Sequence, residues 1–317
     1  MSVVPLIRKP IRGANAPTEP TASTPRPRPV MRYHGGKFRL AQWIIGHFPS
    51  HDTYVEPFAG AASVLMAKPK CRAEVYNDLD SRVVNVFRVL RNQATANELR
   101  RRIRLTPFSR EEFEDSYAPA TDPVDAAHKT IMQSFMGYGS DATTREDRPG
   151  FRAKRAQGTL PSSEWAGWPE SVPVFTERLR SVVIESRDAL ELMPDYDTPT
   201  SLFYVDPPYV RATRYDNGRH GYRHELSDQQ HEQLAAVLHG LKGMVVLSGY
   251  ACELYDQILF KDWIRFERDT VADSGGARTE VVWLNPSCAH ALHKQQTTQA
   301  SLLDGESPVL EKRNVSL

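Results

Sequence analysis

The sequence predicts an α/β protein, one sheet with helices between its strands, interrupted by an inserted segment of different texture. Three observations predict it. Short apolar runs of strand length, at Tyr54-Val55, Val75-Tyr76, Val182–Ile184, Leu202–Val205 and Met244–Leu247, each run into polar or glycine-containing stretches. Apolar residues at helical spacing lie between such runs, as at Val83, Val84, Phe87 and Leu90. The alternation stops near residue 91 and resumes only after residue 177.

Taken in order, residues 1–30 carry seven prolines among Thr, Ser, Ala and Arg, a composition that builds no packed element. They are expected to form a disordered tail, with the ordered chain beginning at Met31. From Met31 to Leu90, Leu40, Ile44 and Ile45 mark a helical face after paired glycines, and Tyr54-Val55 a strand. A loop at Ala59–Ser63, a second strand ending before Asp78 and the helix through Leu90 complete a β-loop-α-β unit of the nucleotide-binding type. Residues 91–177 hold Arg100, Arg101, Arg102 and Arg104, then Gly137, Tyr138 and Gly139, then a second basic cluster. From 178 to 286 the rhythm returns: two buried strands, a capping box of Ser227 and Gln230 before Leu234, Val237, Leu238 and Leu241, and the strand at Met244–Leu247. Residues 287–317 read as a flexible tail.

The 317 residues suffice for a large core domain carrying a smaller insert. With 40 basic and 39 acidic residues, affinity for nucleic acid has to come from a local basic face. Cys71, Cys252 and Cys288 have no paired spacing, which disfavours structural zinc and a secreted disulfide framework. His34, His47, His220, His224 and His231 show no metal-ligand spacing with cysteines and are left as surface or core residues, so no metal is expected. No run approaches the roughly 18 apolar residues of a membrane span, and the N-terminus lacks a signal-peptide run, so the expectation is a cytoplasmic protein without a membrane partner.

In SLFYVDPPY at 201–209, a hydrophobic strand delivers Asp206 to its carboxyl end, where ligands of open α/β sheets collect. Pro207 and Pro208 remove two backbone donors and hold the chain extended, leaving carbonyls free to accept. An amine suits such a site: Asp206 accepts one N–H, the Pro207 carbonyl the other, and Tyr209 offers a stacking face for a base. A plain turn after a strand, with Asp206 capping and Tyr209 packing, fits the same tetrapeptide. TYVEPFAGAASV at 53–64 runs a strand into Gly60 and small residues, where backbone approaches a cofactor closely, without the full G-x-G-x-x-G fingerprint. Asp78, at the next strand end, is placed to bind ribose hydroxyls or to cap the helix that follows. In RYHGGK at 32–37, Lys37 beside two glycines either holds a carboxylate or opens an ordinary turn.

These motifs in this order resemble the Dam-type (alpha-group) DNA adenine methyltransferases, in the branch found in phages and prophages. The resemblance covers about Met31 to Pro286. YHGGK at 33–37 looks like the family's first cofactor motif, EPFAGAAS at 56–63 its glycine loop, YNDLD at 76–80 its ribose-binding strand end and DPPY at 206–209 its catalytic motif. The stretches at 224–259 and 278–286 look like the same branch. The resemblance implies a Rossmann-like, S-adenosylmethionine-dependent methyltransferase sheet: a cofactor half at 31–90, an inserted, mainly helical target-recognition domain at 91–177 and a catalytic half at 178–286. Cofactor contacts carry over to Tyr33, Lys37, Asp78 and Asp206, with Glu56, Phe58 and Gly60 shaping the loop and Asp188 at the strand end that meets the cofactor's adenine. Ala62 stands where the family usually has a second glycine and is expected to tighten the cofactor site without closing it.

The implied reaction moves a methyl group from S-adenosylmethionine to the 6-amino group of an adenine flipped from double-stranded DNA, releasing S-adenosylhomocysteine. Asp206, Pro207 and Tyr209 would be its catalytic residues. Arg145, Arg148, Arg152, Lys154 and Arg155 are candidates for DNA phosphates or guanine edges, although a solvated charged loop explains them as well. Arg32, beside the first motif, joins them by resemblance. Trp165 and Trp168 are either base-stacking wedges or packing anchors. The competing functions are a methyltransferase for RNA or another amine, and a DNA-binding relative without catalysis.

Overall fold

The computed structural model describes residues 29–139, 148–153, 158–213, 223–271 and 277–303. Among the described residues seven strands form one sheet in the order β3-β2-β1-β4-β5-β7-β6. Strands β1 (Thr53–Glu56), β2 (Ala73–Asn77), β3 (Val182–Glu185), β4 (Ser201–Val205) and β5 (Met244–Tyr250) are parallel to one another. Strand β6 (Ile264–Val271) pairs antiparallel with β7 (Ala277–Leu284), which inserts antiparallel beside β5. The chain steps outward from β1 to β2 and β3, then returns to lay β4 on the other side of β1. That reversal makes a switch point between β1 and β4, where open α/β sheets bind ligands at the strands' carboxyl ends.

Strand β4 is buried along its whole length, as its unbroken apolar run requires for a strand covered on both faces. The expectation of a second buried strand at Val182–Ile184 needs correction. The strand exists, but it is the margin of the sheet, and Val183 is 43% exposed there. Alternation along the strands divides the core in two. Tyr54, Tyr76, Tyr204, Val246 and Val282 share one hydrophobic cluster, and Val55, Val75, Phe203, Val245 and Val281 the other.

On the first face lie α1 (Ala41–Ile45), α2 (Ser63–Ala67) and α3 (Ser81–Arg91). Asp80 caps α3 by accepting the Arg82 N–H, so the capping role that Asp78 was a candidate for belongs to its neighbour. The segment after α3 is mainly helical: α4 (Gln93–Leu105), α5 (Arg110–Asp115), α6 (Pro123–Met136), α7 (Pro161–Gly167) and α8 (Val172–Leu179), the last of which crosses residue 177. Ile131, Phe135, Trp168 and Phe175 from this segment pack in the same cluster as Val83 and Phe87 of α3. Trp165 and Trp168 are packing anchors, buried and donating indole N–H bonds to the Thr106 and Val30 carbonyls. The second face carries α9 (Ala189–Asp195) and α10 (Asp228–Gly240), the latter opened by the expected Ser227/Gln230 capping box.

The ends depart from expectation in one respect. The proline-rich tail falls almost wholly outside the described residues, although Val30 is already buried. At the other end, a helix α11 (Pro286–Leu303) stands where a flexible tail was expected from residue 287. Cys288 is buried, and Asn285 caps the helix by accepting the Cys288 N–H while also bonding Val245 and Gly243. Residues 304–317 of that tail lie outside the described residues.

Candidate active site

The loop after β1 is held by β2. Gly60 adopts φ +48°, its N–H donates to Asp78 Oδ2 at 2.8 Å, and its carbonyl accepts the Tyr76 hydroxyl at 3.0 Å. A Cβ on Gly60 would lie 2.5 Å from Tyr33 Cε1, so this position has to be glycine for the aromatic ring of the first motif to rest on the loop. Asn77 ties three strand ends together: its amide donates to the carbonyls of Pro57 and Arg187 and accepts the Arg187 N–H. This bridge sets the loop from Glu56 to Phe58 beside Asp188, which caps α9 through the Leu190 N–H. Ala62 also has a left-handed backbone, φ 52°. Its methyl is fully buried and lies outside the cavity wall, so the departure from glycine costs backbone strain of about 1 kcal/mol and does not narrow the site as expected.

At the end of β4, Asp206 meets Lys37, with Nζ 3.0 Å from Oδ1. Lys37 is buried, donates to the Gly35 carbonyl at 2.7 Å, and lies 3.6 Å from Glu280 Oε1. It also sits 4.8 Å from the centre of the Tyr209 ring. Lys37, expected to hold a carboxylate or to open a turn, pairs with two carboxylates of the protein itself. The Tyr209 hydroxyl donates to Glu280, and its ring stands edge-on to Tyr250 at 4.7 Å. Burial raises the pKa of Asp206, and the Lys37 ammonium opposes that rise.

One cavity of about 450 Å³ joins these parts. Tyr33, Lys37, Glu56, Phe58, Gly60, Asp78, Asp188 and Asp206, read from separate motifs, all line it. Pro208 lines it too, with Pro207 and Tyr209 its neighbours in the chain. Glu56 is pushed up to about 8 by burial, with the Asp206 carboxylate adding to the rise and bonds from the Tyr54 hydroxyl and the Leu65 N–H opposing it. Asp78 is pushed up to about 6 by burial, against bonds from the Asp80 and Gly60 N–H groups. Among the described residues no group of three or more His, Cys, Asp or Glu side chains converges as a metal site, and no helix is long and apolar enough to cross a membrane.

Arg223, His224, Glu225 and Gln233 also line the cavity without having been site candidates, as does Gln230, read only as part of the capping box. His224 had been left with the surface and core histidines; it faces Asp78 electrostatically across the cavity. Glu280, buried behind the wall, was missed as well, and its signal was a lone acid opening the apolar strand run Val281–Leu284. Of the DNA candidates, Arg145, Lys154 and Arg155 lie outside the described residues. Arg148 is exposed, its guanidinium 4.1 Å from the Tyr117 ring centre. Arg152 is corrected to a structural role, being 7% exposed and bonded to Glu164 at 2.9 Å. Arg32 is half-buried, its backbone exchanging two hydrogen bonds with the Ser134 hydroxyl of α6.

Comparison with known proteins agrees with this arrangement. The family model of the D12 class N6 adenine-specific DNA methyltransferases matches residues 33–146 and 169–272. The chain is similar to the DNA adenine methylase of Escherichia coli (strain K12), at 21% identity over 272 residues covering 80% of this chain and 92% of that protein. It is likewise similar to the DNA adenine methylase of Salmonella typhimurium, at 22% identity with the same coverage. The matched stretches contain the loop after β1, the strand end at Asp78 and the tetrapeptide at Asp206, the same residues that close around the cavity. The family model matches more than half of the chain, and this chain belongs to the D12 class N6 adenine-specific DNA methyltransferase family, enzymes that methylate adenine in DNA.

Proposed function

We propose that the chain transfers a methyl group from S-adenosylmethionine to the 6-amino group of an adenine flipped out of double-stranded DNA, leaving S-adenosylhomocysteine. The observation that carries this reading is the single cavity shared by the eight residues, with Asp206 at its wall. The cavity falls in the size range of cofactor pockets. Its lining also suits the group: Asp78 and Asp188 to accept from hydroxyl and amine donors, Phe58 and Tyr33 for a planar ring, and acidic groups near a positive sulfur. When bound, the cofactor supplies an electrophilic methyl on a sulfonium.

The chain's own residues orient the nucleophile. Lys37 favours the ionised form of Asp206, which accepts one N–H of the amine while the Pro207 carbonyl accepts the other. Holding both hydrogens aims the nitrogen lone pair at the methyl, so positioning and electrostatics lower the barrier. Base flipping follows from the buried position of the amine in a duplex. In this reading residues 31–90 and 178–286 are the cofactor and catalytic halves and 91–177 the target-recognition segment, with Arg148 in that segment and Arg32 beside the first motif as the described candidates for DNA.

The test is Asp206→Ala assayed with labelled cofactor on duplex DNA, RNA and protein. Wild type is expected to label DNA adenine, and the variant to lose about a thousandfold in rate while still binding DNA. Full activity in the variant, or label on RNA or protein alone, overturns the assignment.

A further inference from the structure

We propose that Glu280 is a positioning residue for methyl transfer, its buried carboxylate holding the Tyr209 hydroxyl and sharing Lys37 with Asp206 so that the catalytic tetrapeptide keeps one geometry. The inference rests on the function proposed above and concerns a residue that does not touch the cavity.

Topology brings Glu280 there. Because β7 runs antiparallel to β5, its early residues lie beside the carboxyl ends of the parallel strands, and Glu280 pairs with Tyr250 across the ladder. The contact with Tyr209 spans 71 residues of sequence. Glu280 is 3% exposed on a strand whose following positions are Val281, Val282, Trp283 and Leu284. A buried carboxylate is costly unless partnered, and packing alone would be served by an apolar residue. Its two partners are the catalytic motif's tyrosine and the ammonium that pairs with Asp206.

The four groups therefore act as one unit. Lys37 lies between two carboxylates, at 3.0 Å from Asp206 and 3.6 Å from Glu280, against the Tyr209 ring. Loss of the Glu280 charge draws the ammonium toward Asp206, where it competes with the amine for the same oxygens. Loss of the Glu280 acceptor leaves the Tyr209 hydroxyl only its bond to Asp206, and the shift of the ring toward that carboxylate is transmitted through Pro208, which lines the cavity. Both effects fall on the chemical step and leave the ribose and adenine ends of the cavity untouched.

The experiment compares wild type, Glu280→Leu, Tyr209→Phe and the double variant in single-turnover transfer from labelled S-adenosylmethionine to adenine-containing duplex DNA, with cofactor affinity measured separately. Each single variant is expected to slow the step about ten- to a hundredfold, with cofactor affinity kept within about twofold. The double variant is expected to be no slower than about twofold below the slower single one, since both remove the same bond. A wild-type rate in Glu280→Leu, a loss confined to cofactor affinity, or multiplying losses in the double variant overturns the inference. If Glu280→Leu fails to fold, a wild-type rate in Tyr209→Phe overturns it on its own. Failure of wild type to methylate DNA adenine strikes the proposed function instead, which separates the two outcomes.

Discussion

Glu56 ends β1 with its carboxyl sealed from water, and its pKa of about 8 makes it a proton carrier at neutral pH. In the unfolded chain a glutamate ionises near 4.5, so between that value and 8 the folded protein holds the extra proton. Stability from this group is therefore full at low pH and falls as pH rises through the window, by up to about 1.4 kcal/mol per pH unit, levelling above 8. Asp78 adds a smaller fall of the same sign, ending near 6. His47, His51 and His128 act oppositely, because burial lowers their pKa values and disfavours protonation of the fold. Glu56→Gln keeps an oxygen for the Tyr54 hydroxyl and the Leu65 N–H, so the variant minus wild-type difference isolates one group. Thermal unfolding from pH 5 to 9 is expected to show the variant gaining on wild type as pH rises; parallel curves would mean that Glu56 ionises normally. Legibility at this scale follows sequence distance. Lys37, Gly60, Asp78 and Asp206 each lie within a few residues of the features that identify them, whereas Glu280 meets Tyr209 only after the sheet has closed.

Elements were legible where a local rule decides them. The capping box of α10 and the apolar run of β4 need no partner to be recognised. Strand β3 and helix α11 were misjudged for the opposite reason: whether Val183 is covered, or whether Cys288 finds a core, depends on what the rest of the chain places beside them. The basic cluster after α6 divides on the same ground. A short antiparallel contact, Gly137 with Phe151, brings Arg152 under α7, where it bonds Glu164 and the Phe135 carbonyl. Arg148 remains outside on Tyr117. Arg152→Ala is expected to lower stability by about 2–3 kcal/mol, towards the lower end for a broken buried pair because Glu164 is partly exposed. Arg148→Ala is expected to leave stability within about 0.5 kcal/mol and to reduce the salt slope of DNA binding by about one. Denaturant titration and binding measured across salt concentrations read both. A stable Arg152 variant with a reduced slope would return that residue to the DNA surface, and an unchanged slope for Arg148 would remove it.

At the scale of the molecule, the question is whether residues 91–177 form a domain of their own. Helix α3 buries Val86 and Val89 besides the stripe of Val83, Val84, Phe87 and Leu90, so it is apolar around most of its circumference. A helix of that kind is covered on several sides. It lies between the sheet and the inserted helices, and Tyr76, Phe87, Ile131, Phe135 and Phe175 fall in one continuous cluster. The sequence showed the change of texture at residue 91 but not this shared core, because an apolar stripe carries no label for the element it meets. If the core is shared, the insert cannot unfold before the sheet: losing α6 would uncover α3 and the tyrosines beneath it. Native-state hydrogen exchange tests this without mutation, since the slowest amides of each segment report the free energy of the opening that exposes them. The slowest amides of α6 and β4 are expected to share one opening free energy and to lose protection together as denaturant is added. Exchange of α4 and α6 through an opening several kcal/mol cheaper than that of β4 would show an independently unfolding domain, and the continuous cluster would then contribute little to holding the two parts together.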